Sequence, residues 1–185
     1  MPILAREPDM WPQSLFEQRL PADGNACWWV FYTLSRREKS LSRRLLAGRI
    51  PFYAPVVPKR INAPNGRVRT SYKPLFPNYV FMFGTDEQRY WAMTTNCVSR
   101  WMRVHDGQQL AEDLRRIWQL IRMGTPMTVE ARITPGQQVR VRTGPFAGFE
   151  GIVVRRCRKT HLLVCVHFIN QAVSIELTDC QLEPI

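Results

Sequence analysis

Five cationic side chains, Arg36, Arg37, Lys39, Arg43 and Arg44, fall within nine consecutive residues. At 100° per residue Arg36, Lys39 and Arg43 cluster on one helical face, with Arg37 and Arg44 beside them and Leu41 and Leu45 opposite. A cationic row of this kind suits contacts to a phosphate backbone, and on charge alone it suits a solubilising surface equally well. Other chemistries find no matching pattern. The five cysteines, Cys27, Cys97, Cys157, Cys165 and Cys180, are odd in number and form no Cys-x-x-Cys pair, so reduced thiols are expected. His105, His161 and His167 are scattered and make no metal-ligand spacing with acids or thiols. Gly144-Pro145-Phe146-Ala147-Gly148 lacks the Lys-Ser/Thr of a phosphate loop. No acid pair or nucleophile–base arrangement stands at a motif spacing, so neither catalysis, a metal nor a cofactor is expected.

The elements that must carry the basic row follow from composition and periodicity. With 185 residues, 45% of them hydrophobic, the chain can bury one medium core or two small ones. Its net charge of +11 is uneven: residues 27–123 hold 17 basic and 6 acidic side chains, while residues 1–26 are net acidic and 134–185 only slightly basic. The middle segment is therefore the one expected to face a polyanion. No apolar run is long enough to span a membrane, and the N-terminal residues lack the apolar stretch of a signal peptide, so a cytoplasmic monomer without membrane contact is expected.

Residues 1–26 read as a poorly ordered leader, with Trp11, Leu15 and Phe16 as docking side chains. Residues 28–33 favour a buried strand. Ser35 and Glu38 form a capping-box pattern for a helix running to about Ala47, ended by Gly48. Residues 50–57 return as a strand, and Asn65-Gly66 signals the turn of a projecting basic hairpin with Lys59, Arg60, Arg67, Arg69 and Lys73 on its arms. Residues 79–83 form an apolar strand, Thr85 opens a short helix, and 98–104 form another strand. Leu110, Leu114, Ile117, Trp118 and Ile121 then share one helical face, closed by Gly124. Residues 124–133 read as a linker. Residues 134–185 carry short strands separated by glycine turns, expected to form a small SH3-like or OB-like barrel. The fold class is α+β: an antiparallel sheet with flanking helices over 27–123, then the barrel over 134–185.

Two segments resemble one family. The run from Ile133-Thr134-Pro135-Gly136 through Val139-Arg140-Val141, with Gly144-Pro145-Phe146-Ala147-Gly148-Phe149-Glu150-Gly151-Ile152-Val153, resembles a KOW motif of the NusG type. Trp28-Trp29-Val30 and Leu75-Phe76-Pro77-Asn78-Tyr79-Val80-Phe81 resemble the first strand and central signature of the NusG N-terminal (NGN) domain. The two motifs stand in the family's order, and the likeness covers residues 27–185. The first domain is most similar to the specialised RfaH-like branch, with Asn78 where general members usually have glycine.

The resemblance implies a transcription elongation and antitermination factor. Its first domain would dock on the clamp helices of the largest RNA polymerase subunit and suppress pausing or termination. Tyr32 and Phe76 match the docking pocket, Pro77 its edge, and Trp29 and Tyr79 stand nearby. The basic helix would touch the non-template DNA strand through its backbone. Phe146, Phe168 and Ile169 match positions that contact a small-subunit ribosomal protein or the Rho terminator, with Gln171 where a basic residue is common. Departures limit the likeness: the gate-loop segment of the specialised branch is replaced by Gln88-Arg89-Tyr90-Trp91, and its set of DNA-reading side chains is not preserved. That branch can also fold its second domain as a helical hairpin, whereas the Val- and Ile-rich strands here favour a β fold. A ribosome-associated RNA-binding KOW protein is the alternative, and it leaves residues 75–81 without a role.

Overall fold

The residue-by-residue alternation of the first long strand sets the two faces on which everything else is built. The computed structural model describes residues 7–17, 25–62, 68–132, 136–156, 159–178 and 180–185. It divides into two compact units, Met1–Gly107 and Gln108–Ile185.

In the first unit the strands are β1 (Met10–Trp11), β2 (Cys27–Thr33), β3 (Phe52–Tyr53), β4 (Val56–Asn62), β5 (Val68–Pro74), β6 (Tyr79–Gly84) and β7 (Val98–Arg103), with helices α1 (Glu38–Ala47) and α2 (Asp86–Thr94). Five strands form one antiparallel sheet in the order β1-β3-β6-β2-β7, while β4 and β5 pair as a separate ribbon. The Asn65-Gly66 turn expected at that ribbon's tip lies outside the described residues. Trp29 and Phe31 of β2 pack with Leu41 and Leu45 of α1, Ala92 of α2, and Val80 and Met82 of β6. Their neighbours in sequence, Trp28 and Val30, point to the opposite face, as the period of two requires.

Residues 7–17, read from sequence as a loose leader, join that sheet instead. Met10 and Trp11 pair with Tyr53 and Phe52. Leu15 and Phe16 are buried, Phe16 lying parallel to Trp28 at 6.4 Å between centroids and edge-on to Tyr53 at 5.1 Å. Two aromatic neighbours outweigh the prolines that break helical signal there.

The start of α1 also differs from expectation. Its N-cap is Arg37, which makes no side-chain cap bond, and Arg36 sits at φ 60°. That left-handed residue turns the chain ahead of the helix, so Ser35 cannot reach the first-turn amides. Glu38 is drawn elsewhere, as described below. At α2 a reciprocal cap does form: Thr85 Oγ1 accepts from the Gln88 N–H at 3.3 Å, and Gln88 Oε1 accepts from the Thr85 N–H at 3.0 Å.

The second unit contains helix α3 (Gly107–Arg122), whose first residue precedes the unit boundary, and strands β8 (Thr128–Glu130), β9 (Gln137–Val141), β10 (Glu150–Arg156), β11 (Lys159–Val166), β12 (Gln171–Leu177) and β13 (Leu182–Pro184). They form a six-stranded antiparallel sheet ordered β13-β9-β10-β11-β12-β8. The expected β fold is present, but the outer strands β13 and β8 do not pair with each other, so the ladder does not close into a barrel among the described residues. The stretch read as a linker supplies β8 at one edge. Gly144 and Gly148 take positive φ (91° and 85°) in the turn before β10, as turn glycines should. Gly151 acts differently: it lies within β10, where a Cβ would collide with the Leu163 carbonyl oxygen of the adjacent strand.

Both faces of β11 are buried from Leu162 to Val166, where one buried face was expected. α3 accounts for the second. Its buried Asp113 accepts the backbone N–H of His167 at 3.0 Å and a Gln109 Nε2 hydrogen at 2.8 Å, and lies 3.0 Å from His167 Nδ1. Arg116 adds an ion pair to Glu150 at 2.9 Å. Burial, with the Asp113 charge nearby, pushes the Cys165 thiol up to about 11. A thiol so raised stays protonated and unreactive at neutral pH. Disulfide-exchange reagents should therefore label the half-buried Cys27 and Cys180 readily and reach Cys165 only on unfolding; labelling of Cys165 at the rate of Cys180 in the folded chain would contradict this placement.

Candidate functional site

The register of β2 against β6 sets Tyr32 opposite Tyr79, Val30 opposite Phe81 and Trp28 opposite Phe83. Those side chains share the face away from α1 and α2. Tyr32 and Tyr79 meet edge-to-face at 5.3 Å, both half-buried, and Pro77 beside them is exposed. Phe76 belongs to the same neighbourhood but lies beneath it, 1% exposed and edge-on to Phe81 at 6.4 Å. Trp29 does not join the group. It occupies the helix-covered face, 3% exposed, and donates its indole N–H to the Gly84 carbonyl at 2.9 Å.

Asn78 holds this face in place. It adopts φ 68°, a left-handed conformation that asparagine and glycine tolerate better than other residues, which explains why either suits the position. Its N–H donates to Glu38 Oε1 at 2.8 Å, its carbonyl accepts from the Thr33 N–H at 2.8 Å, and its side-chain amide donates to Tyr32 Oη at 3.3 Å. One turn thus ties β6 to β2, to the Tyr32 ring and to the first residue of α1. Glu38, read from sequence as a cap, is instead the buried acceptor of this turn.

Arg36, Arg37, Lys39, Arg43 and Arg44 are all exposed around α1. Among the described residues, only Arg43 of the five is ion-paired, by a two-pronged contact with Glu7 at 2.8 and 2.9 Å. The hydrogen bond from Arg43 holds the Glu7 carboxyl below its ordinary range and raises the guanidinium in turn. The cationic row therefore survives with one member partly neutralised.

In the second unit Phe168 is 37% exposed, Phe146 is half-buried and edge-on to Phe149 at 6.3 Å, and Ile169 is buried. Sequence reasoning missed two aromatic–cation pairs on the first unit's edge strand, one on each face of the sheet. Arg100 stands opposite Tyr32 in register with its guanidinium 5.4 Å from that ring, and Arg89 stacks over the exposed Trp101 at 4.2 Å. The signal was the adjacent Arg100-Trp101, which a strand sends to opposite faces. Among the described residues, no group of three or more His, Cys, Asp or Glu side chains could hold a metal.

The family model for NusG, described as transcription termination factor nusG, matches residues 26–132, and the KOW motif model matches residues 135–164. The chain belongs to the NusG family. A NusG transcription termination/antitermination protein of Neisseria meningitidis is 29% identical over 174 residues, covering 85% of this chain and 97% of the relative. One from Staphylococcus aureus is 27% identical over 175 residues, covering 85% and 95%. A chain from the crystal structure of the MjSpt4:Spt5 complex, conformation B, covers 85% of this chain and 97% of its own at 14% identity, with a TM-score of 0.25 that is too low to bear on the fold. NusG-family proteins are transcription factors rather than enzymes, and the chain is a NusG-like termination/antitermination factor. No helix among the described residues is long and apolar enough to cross a membrane.

Proposed function

We propose that the chain docks on the clamp helices of RNA polymerase's largest subunit through the face built by Tyr32, Pro77 and Tyr79, suppresses pausing or termination, and recruits a second partner through its KOW unit. The observation that carries this reading is the Asn78 turn, which presents two half-buried tyrosines and an exposed proline on a sheet face free of α1 and α2. Half-exposed aromatics with a polar tip suit a protein interface, where the ring is buried and the hydroxyl finds a partner. Phe76 and Trp29 act from below by shaping the sheet. The family membership supports polymerase as the partner and a cytoplasmic, non-enzymatic role, for which no cofactor is required. The exposed Phe168 and half-buried Phe146, with Ile169 buried next to Phe168 in sequence, offer the second contact, to a small-subunit ribosomal protein or to Rho.

The α1 row would supply salt-dependent contacts to the non-template strand. Replacing Arg36, Lys39 and Arg44 by Gln should flatten the salt dependence of nucleic-acid binding by roughly one unit of slope per lost phosphate contact. Arg43→Gln should change it less, because Glu7 already occupies that guanidinium. An unchanged slope in the triple variant would make the row a solubilising surface. A ribosome-bound KOW protein is the competing function, and co-purification of the tagged chain with ribosomes rather than polymerase would favour it.

A further inference from the structure

Within the second unit, α3 and the turn between β9 and β10 enclose a groove of about 670 Å³ that the family reading leaves without a role. Arg115, Trp118, Arg122 and Met123 line it from the helix, and Gly148 and Phe149 from the turn. The spacing of Arg115, Trp118 and Arg122 sets them along one side of α3. Arg115 and Arg122 are exposed, Trp118 is half-buried, and the Arg122 guanidinium lies 4.7 Å from the indole centroid. Arg116 also lines the groove but is committed to Glu150, and Glu112 is the single acid on the lining. Gly148, at φ 85°, leaves open space where a side chain would stand, so a ligand can approach the backbone of the turn.

The groove is fixed by two other contacts of the same helix. Asp113 holds α3 to the chain at His167, and Arg116 holds it to Glu150 at the start of β10. These contacts set the distance between the arginine–tryptophan side and the glycine turn, which makes the groove a built feature rather than a chance gap between loops.

We propose that this groove binds single-stranded nucleic acid, with one base stacked on Trp118 and the flanking phosphates paired to Arg115 and Arg122. With Arg116 paired to Glu150, Arg115 and Arg122 against Glu112 leave the lining net cationic, which favours a polyanion, and an indole with a cation already beside it favours one that carries flat rings. Arg115 and Arg122 stand two helical turns apart, about 10 Å along the axis, so their long side chains span the phosphates on either side of one stacked base. An acidic peptide would pair with the arginines and leave the indole unused. A duplex keeps its bases stacked on one another and offers none to Trp118. Stacking and phosphate pairing do not read the 2′-hydroxyl, so RNA and DNA strands are both ligands of this class.

The test is fluorescence anisotropy on the full chain carrying Arg36→Gln, Lys39→Gln and Arg44→Gln, which removes most of the α1 contribution and keeps this outcome separate from the salt experiment above. Labelled oligouridine and oligothymidine of about ten nucleotides and a matched duplex are the probes. Both single strands should bind more tightly than the duplex. Trp118→Leu should weaken them about tenfold, and Trp118→Phe should restore most of the loss. Arg115→Gln with Arg122→Gln should lower the single-strand salt slope by about 1.4 units. Ultraviolet cross-linking of the unmutated chain should place adducts within residues 115–123, a readout that stands even where a variant fails to fold. A folded Trp118→Leu with unchanged affinity, cross-links confined to α1, or an oligoglutamate peptide that binds the groove where the oligonucleotides do not would each overturn the proposal.

Discussion

Phe76→Ala should destabilise the first unit by about 3–5 kcal/mol, the range for deleting a buried aromatic ring and leaving its cavity. The ring is 1% exposed, lies edge-on to Phe81, and sits directly before the Pro77-Asn78 turn. Its removal would take away both apolar contact and support for the turn that orients Tyr32. From the signature alone Phe76 reads as a docking residue whose loss weakens a partner while the domain stays folded. Burial reverses the order of effects: stability falls first, and affinity falls as a consequence. Denaturant unfolding followed by circular dichroism measures this, and a midpoint within the spread of exposed-site variants would show that the ring is a surface contact after all.

Asp113→Ala should cost about 2 kcal/mol in the second unit, because it removes the shared acceptor of the part-buried His167 N–H and Gln109 amide together. Asp113→Asn keeps one carbonyl oxygen and should cost clearly less. The carboxylate is buried while its donors are only partly so, and water replaces it only by entering the space the side chain leaves. Amide hydrogen exchange at His167 gives a second reading: fast exchange in the alanine variant and slow exchange in the parent chain. An alanine variant that unfolds at the parent's denaturant midpoint would mean that α3 is held by its apolar side alone.

Much of the secondary structure was legible, and each departure has a local physical cause. The helical faces of α1 and α3 follow from periodicity, since leucines at helical spacing leave few other solutions. The capping pattern at Ser35 misled because Arg36 takes a left-handed turn, which no sequence rule marks for arginine, and because Glu38 found a better donor at Asn78. Asn78 itself was visible only as a departure from glycine, and its reason appears once φ is known. Trp29 stood with the docking residues on sequence alone, and the structure sets it on the helix-covered face by parity. Adjacent strand residues face opposite sides, and only the pairing with β6 decides which side is which. Phe16 and Leu15 carried a weak signal because their partners, Trp28 and Tyr53, are distant in sequence. The arginine–tryptophan side of α3 was missed for the reverse reason: Trp118 fitted the apolar face of the helix and was counted with it.

The reading of the first unit as a polymerase-docking module depends on the face around Tyr32. The most direct measurement is the affinity of the full chain for RNA polymerase, with Tyr32 and Tyr79 both replaced by Ser and the fold checked by circular dichroism. Loss of a central aromatic pair should weaken binding by about 2 kcal/mol or more, roughly thirtyfold, with the secondary structure unchanged. A folded double variant that binds polymerase as tightly as the parent would contradict the account.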